Sequence, residues 1–216
     1  APAPLVEVRA GADTGVTLHH ATETRMVFLS SAGEEPNLVD VLATFPDSGR
    51  PLLAYLDALM LGESPYTPAE RALMAAYVSG INFSQYCHGL FDAVAVAHGA
   101  EEGLVADLLT DLETADISAR FRAVLVYIDK LTREPEGITE TDARAFTDAG
   151  WDDAALYHAV SVCGAANLVN RLVEGLGVAT DPEHLENLAA RVRDAGYASL
   201  VGPQAGSGPE VRDTGG

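Results

Sequence analysis

The chain has 216 residues and 48% hydrophobic content, enough to bury a core in one domain or two small ones, and 32 acidic against 13 basic residues leave a formal net charge of −19. A surface this negative repels phosphate backbones and anionic lipid, which excludes nucleic-acid and membrane-surface partners; Lys130 is the one lysine, and no run is apolar enough to span a bilayer. The opening APAPLVEVRAG lacks the charged and apolar regions of a signal peptide, so a cytoplasmic location is expected.

Residues 1–35 read as an extended arm or short hairpin, with strand-like character at Val16-Thr17-Leu18 and Met26-Val27-Phe28-Leu29. From residue 36 to about 201 the pattern is helical, which makes the fold class all-α. Leu52, Leu53, Leu56, Leu59 and Met60 share a face over 50–61. Thr67-Pro68-Ala69-Glu70 is a strong helix start, with Thr67 as N-cap, Pro68 at the first helical position and Glu70 closing a capping box; that helix runs to Ile81. Ser84 suits the N-cap of a helix ending at His98-Gly99. Further helices are expected over 101–113, 118–133 and 139–148. The longest starts at Asp152 or Asp153 and ends at Gly177; being apolar around most of its circumference, it is expected to be central and buried. Asp181-Pro182 opens a last helix to about Ala195, and residues 202–216, rich in Gly, Pro, Ser and charge, read as a disordered tail.

Two cysteines 76 positions apart make neither a disulfide framework nor a CxxC pair, and six scattered histidines show no metal-ligand spacing, so neither a metal nor a cofactor is expected. Chemistry points instead to 81–91. With Ser84 as N-cap, Cys87 sits at the third helical position, where unpaired amides and the positive end of the helix dipole favour a thiolate. The alternative is a small core cysteine. His88 follows but points roughly 100° away. Tyr86 could lend a hydroxyl or simply pack. On the long helix His158, with Ser161 near it, is either a hydrogen-bonded core histidine or a pocket base. Asn170, Arg171 and Glu174 form a second polar stripe, with Arg171 and Glu174 spaced for a local ion pair. Glu70 is a candidate already explained by its capping box.

Tyr66-Thr67-Pro68-Ala69-Glu70-Arg71, Val78-Ser79-Gly80-Ile81-Asn82, Gln85-Tyr86-Cys87-His88-Gly89, Ala149-Gly150-Trp151-Asp152-Asp153 and Asn167-Leu168-Val169-Asn170-Arg171-Leu172 stand in an order and spacing that resembles the carboxymuconolactone decarboxylase / alkylhydroperoxidase D (AhpD)-like superfamily, in its peroxidase-related branch. The resemblance covers about 36–178. It implies a helical fold assembling into trimers or hexamers, a small-molecule substrate, and a redox site of Glu, eleven residues, then Cys-x-x-Cys-x-x-x-His. On this chain that pattern falls on Ala72, Ser84, Cys87 and Phe91, so only one thiol survives and both proton-relay positions are apolar. The resemblance therefore implies an enzyme that has lost dithiol peroxidase chemistry and keeps Cys87, with Ser84, Tyr86, His88, His158 and Glu70 as candidate partners. A single-cysteine peroxidase and a non-catalytic oligomeric binding protein are the alternatives.

Overall fold

The computed structural model describes residues 28–32, 36–178 and 181–202. The strand-like stretches expected at 16–18 and 26–27 and most of the expected tail lie outside them. Residues 28–32 form a short 3-10 turn at Ser30–Ala32, tied on by the Phe28 amide donating to the Leu176 carbonyl.

Among the described residues the protein is all-helical: α1 (Leu38–Thr44), α2 (Pro46–Leu61), α3 (Pro68–Ile81), α4 (Gln85–Ala97), α5 (Leu104–Thr110), α6 (Ala119–Arg133), α7 (Glu140–Asp148), α8 (Asp153–Leu176) and α9 (Pro182–Ala195). Local chemistry sets most boundaries. Asn37 and Thr67 each build a complete capping box, with Asp40 and Glu70 respectively, while Asp152 and Asp181 cap α8 and α9 through their carboxylates. Gly103, at φ 85°, delays α5 until Leu104 and so shortens the helix expected from 101.

The centre of the bundle is α3, where every residue from Arg71 to Ser79 is buried against α4, α8, α6, α5 and α2. Ala72, Ala75 and Ala76 let neighbouring helices approach closely there. The sequence reading gave the central place to α8, and that is corrected: α8 buries one face on α3 and α6 but leaves Tyr157, Leu168 and Gly164 exposed. The alanines Ala155, Ala159, Ala165 and Ala166 lie on the buried face, while Tyr157, Val160 and Leu168 face outward, so apolar residues all round a helix do not by themselves decide which face is buried.

The junction between α3 and α4 carries the one non-glycine residue with positive φ among those described, Phe83 at 58°. Its amide donates to the Gly80 carbonyl and the Ser84 amide to Ser79, the paired bonds of a Schellman helix end. Glycine normally fills that position, whereas here a phenylalanine does so with 88% of its surface exposed. Left-handed backbone at a bulky residue costs on the order of 1 kcal/mol, and an exposed ring recovers little of it. Phe83→Gly is therefore expected to raise stability by about 0.5–1 kcal/mol in urea unfolding; a loss of stability would show that the ring is packed in solution.

Candidate functional site

Cys87 stands at the third position of α4 with no exposed surface. The expectation of a depressed thiol pKa fails here: burial pushes the thiol up, to about 11, and the Glu174 carboxylate adds to the rise. Ser84 and Asn170, both beside the sulfur, pull the other way without winning. A helix terminus contributes a fraction of a charge, while complete desolvation acts on the whole thiolate.

Ser84 begins α4 as expected, but its side chain does not cap the helix. Its hydroxyl instead donates to Glu174 Oε1 across the α4–α8 contact at 2.9 Å. A cap hydrogen bond is worth about 1 kcal/mol, and this one is replaced by a hydroxyl–carboxylate bond next to a thiol. Behind it runs a ladder of amides. Asn82 Nδ2 donates to Asn170 Oδ1 at 2.9 Å and to Asn167 Oδ1 at 3.0 Å, Asn170 Nδ2 donates to Ser79 Oγ at 2.9 Å, and Ser79 Oγ donates to the Ala75 carbonyl. Arg171 Nη1 donates to Asn167 Oδ1 and to its carbonyl. Asn170, Ser79 and Ser84 are buried, so this polar seam is internal and held by partners from α3, the junction and α8.

The candidate residues do not all meet there. Cys87 and Ser84 do, joined by Glu174 and Asn170. Tyr86 is buried on the other side of α4, its hydroxyl near the Leu38 backbone amide without closing a hydrogen bond. His88 turns its Nδ1 to the Ala76 carbonyl at 3.2 Å. His158 pairs with Ser64 Oγ at 3.2 Å and lies sixteen positions before Glu174 on α8, about 24 Å of helix rise; it belongs to another part of the molecule. Glu70 is spent on its capping box, nine positions and about 13 Å before Ser79. Cys163 is also free and buried, its sulfur against Thr132 Oγ1 and Asn167 Nδ2.

Glu174 is the residue the sequence reading undervalued. Its place in a polar stripe was visible, yet its meeting with Ser84, 90 positions away, follows only from how α8 docks on α4. Phe91, one turn beyond Cys87, faces a small interior cavity with Val169, Leu188 and Tyr197. A surface cavity of about 500 Å³ between α4 and α9 is lined by Asp92, Val96 and Leu185 among others and does not include Cys87. Tyr66 and Trp151 also come together: the rings pack at 4.6 Å, Arg120 stacks on the indole at 3.7 Å, and Tyr66 donates to the Ala155 carbonyl. They fasten α6 and α8 and touch no part of the Cys87 site.

Among the described residues there is no group of His, Cys, Asp and Glu able to hold a metal ion, and no helix is long and apolar enough to cross a membrane. No family model and no curated protein matches the chain. Solved structures do. An uncharacterized peroxidase-related protein from Silicibacter sp. TM1040 matches at TM-score 0.64 and 26% identity over 68% of this chain and 77% of its own. A second, described as an alkylhydroperoxidase AhpD core, an uncharacterized peroxidase-related protein from Ralstonia eutropha JMP134, matches at TM-score 0.63 and 24% identity over 70% and 80%. Helical architecture, matching structures and the motifs of 66–172 together place the chain in the AhpD-like, peroxidase-related superfamily.

Proposed function

We propose that this protein is an AhpD-like enzyme acting on a small organic molecule, with Cys87, Ser84 and Glu174 forming a hydroxyl-bridged acid–base line where relatives of the superfamily use a dithiol. The observation that carries this reading is the Ser84 hydroxyl, which leaves its helix cap for the Glu174 carboxylate beside the Cys87 sulfur. In the line, the thiol proton passes to Ser84 Oγ as the Ser84 proton passes to Glu174, leaving a neutral carboxyl and a thiolate that bonds to the substrate; when that bond breaks on product release, the reverse transfer returns the proton to the Cys87 sulfur. Serine cannot close a disulfide, and Ala72 and Phe91 cannot relay protons. A thiol pushed up to about 11 argues against a one-cysteine peroxidase, which needs a standing thiolate; the acid–base line forms one only in transit, with Glu174 taking the proton.

Glu174→Gln keeps the hydrogen bond and removes the proton acceptor. Turnover in a screen of small carbonyl, lactone and carboxylate compounds is expected to fall about 100-fold in this variant and in Cys87→Ala. If both retain full turnover of every converted compound, the catalytic line is wrong.

The complete burial of Cys87 favours a second reading, a non-catalytic binding protein whose site has been filled by packing. Absence of any turnover together with retained ligand binding selects it. Under either reading we propose a homo-oligomer, trimer or hexamer, supported by the exposed apolar side chains Phe83, Tyr157 and Leu168; light scattering reads the mass directly.

A further inference from the structure

Hydrogen bonds between amides have a direction, and in this interior the direction is set from outside by Arg171, because a guanidinium can only donate. Arg171 Nη1 donates to Asn167 Oδ1 at 2.8 Å, which commits that oxygen and turns the Asn167 nitrogen to the Cys163 sulfur at 3.5 Å. Asn82 Nδ2 donates to the same oxygen and to Asn170 Oδ1. Turning the Asn82 amide over would set its oxygen against two others, so its orientation is fixed and the Asn170 oxygen is committed as well. The Asn170 nitrogen therefore faces the other way. There Ser79 Oγ accepts from it at 2.9 Å, and Ser79 does not compete as a donor because its own proton goes to the Ala75 carbonyl at 2.7 Å.

A primary amide nitrogen carries two hydrogens. Ser79 takes one from Asn170, and the second is left for the Cys87 sulfur, which lies beside the same amide. Ser84, the other neutral side chain at the sulfur, has given its proton to Glu174 and is placed to accept from the thiol. Of these two, Asn170 is the one left to donate. Cys87, Ser79, Ser84 and Asn170 are all buried, which keeps bulk water from taking the donor's place. The titratable groups acting on the thiol are Glu174 from α8 and Tyr86 on α4 itself. Glu174 opposes a negative sulfur until it takes up a proton, whereas a neutral amide attracts one at any pH.

We infer that Asn170 is the thiolate-holding residue of this site, its amide nitrogen donating to the Cys87 sulfur in an orientation imposed by Asn82 and, through Asn167, by Arg171. This rests on the proposed function only in giving the thiolate a use in catalysis. Ser84 and Glu174 then move the proton, while Asn170 steadies the charge left on sulfur, as preorganised donors do for an oxyanion.

The test is nuclear magnetic resonance of the full chain carrying a magnetic carbon isotope at the cysteine Cβ, with Cys163→Ser assigning the two signals. The displacement of the Cys87 signal between about pH 7 and about pH 10 reads its thiolate fraction, and circular dichroism confirms the native fold at both. Asn170→Leu keeps the volume and removes the donor; it is expected to lower the thiolate fraction about tenfold. Asn82→Ala, which lets the Asn170 amide turn over, should lower it about threefold. A side chain that merely fills space predicts the opposite sign, since a loosened interior admits water and favours the thiolate. Either variant leaving the fraction within twofold of wild type, or raising it, overturns the inference. If Asn170→Leu does not fold, Asn82→Ala decides alone. Turnover retained in Glu174→Gln removes the catalytic line and leaves Asn170 as the donor to sulfur; turnover lost in Glu174→Gln with Cys87 ionisation unchanged in both asparagine variants does the reverse.

Discussion

Arg71→Ala is expected to cost about 3–4 kcal/mol of stability, the largest effect of any single substitution considered. Arg71 is an arginine with only 1% of its surface exposed. Its guanidinium reaches back from α3 to the end of α2, where Nη1 donates to the Leu59 carbonyl at 2.7 Å and the Gly62 carbonyl at 2.9 Å, while Nε donates to Thr67. The last carbonyls of a helix have no partner within it, so an arginine inside the protein closes α2 and meets the negative end of its dipole. Burial lowers its pKa, a sign that the charge itself is unfavourable there. Two effects therefore oppose each other on substitution. Losing the buried charge relieves desolvation, while the Leu59 and Gly62 carbonyls lose their donor at about 1–3 kcal/mol each and a long side chain leaves a void. The second effect dominates. Arg71→Met fills most of the void and is expected to cost about 2 kcal/mol, so the difference between the variants isolates packing. Urea unfolding midpoints measure both; a loss under 1 kcal/mol for alanine would show that water replaces the guanidinium.

The second large effect is kinetic. At pH 7 a thiol titrating at about 11 is ionised about once in 10⁴ molecules, against roughly 3% for an unperturbed cysteine, a ratio of roughly 300. Iodoacetamide labelling of Cys87 at pH 7, followed by peptide mass spectrometry, is expected to be at least about 100-fold slower in the native protein than in urea. Labelling within tenfold of the unfolded rate would restore the reactive thiolate that its helix position suggests. The same shift fixes a pH dependence. The protonated thiol is favoured by the fold, so its contribution is complete below about pH 9 and disappears as pH rises through about 11. Tyr86 and Tyr197 are also raised, chiefly by burial, and act with the same sign at higher pH. Cys163 is raised by burial as well, so Cys87→Ser should make the alkaline limb of the stability curve shallower between pH 9 and 11 and leave the limb above it.

Helix starts were legible because their signals are local. Thr67-Pro68-Glu70, Asp152 and Asp181-Pro182 each act on amides within three residues, and Gly177, at φ 72°, ends α8 where expected. The start of α2 was harder to place: it begins at Pro46, four residues before the expected 50, because Asp47-Ser48-Gly49-Arg50-Pro51 looks like a turn on paper yet forms the helix's first turns. For the candidate site, Cys87 and Ser84 could be found from position on one helix. What surrounds them could not. The helix dipole is a property of α4 alone, while desolvation comes from elements packed over it and reverses the sign of the shift. Tyr86 and His88 flank Cys87 in sequence and face elsewhere in space, whereas Glu174 and Asn170 arrive from the far end of the chain.

The Asn82–Asn170–Ser79 ladder has a consequence for assembly of the bundle. Leucine and valine contacts between α8 and α3 would tolerate a slide of one helical turn, about 5.4 Å, with modest loss. The amides would not, since a slip would set the buried Asn170 against aliphatic neighbours and strand Ser79 in a dry interior. The ladder thus acts as a registry pin between two otherwise slippery helices, admitting one alignment and rejecting its neighbours. That same alignment is what delivers Glu174 to Ser84.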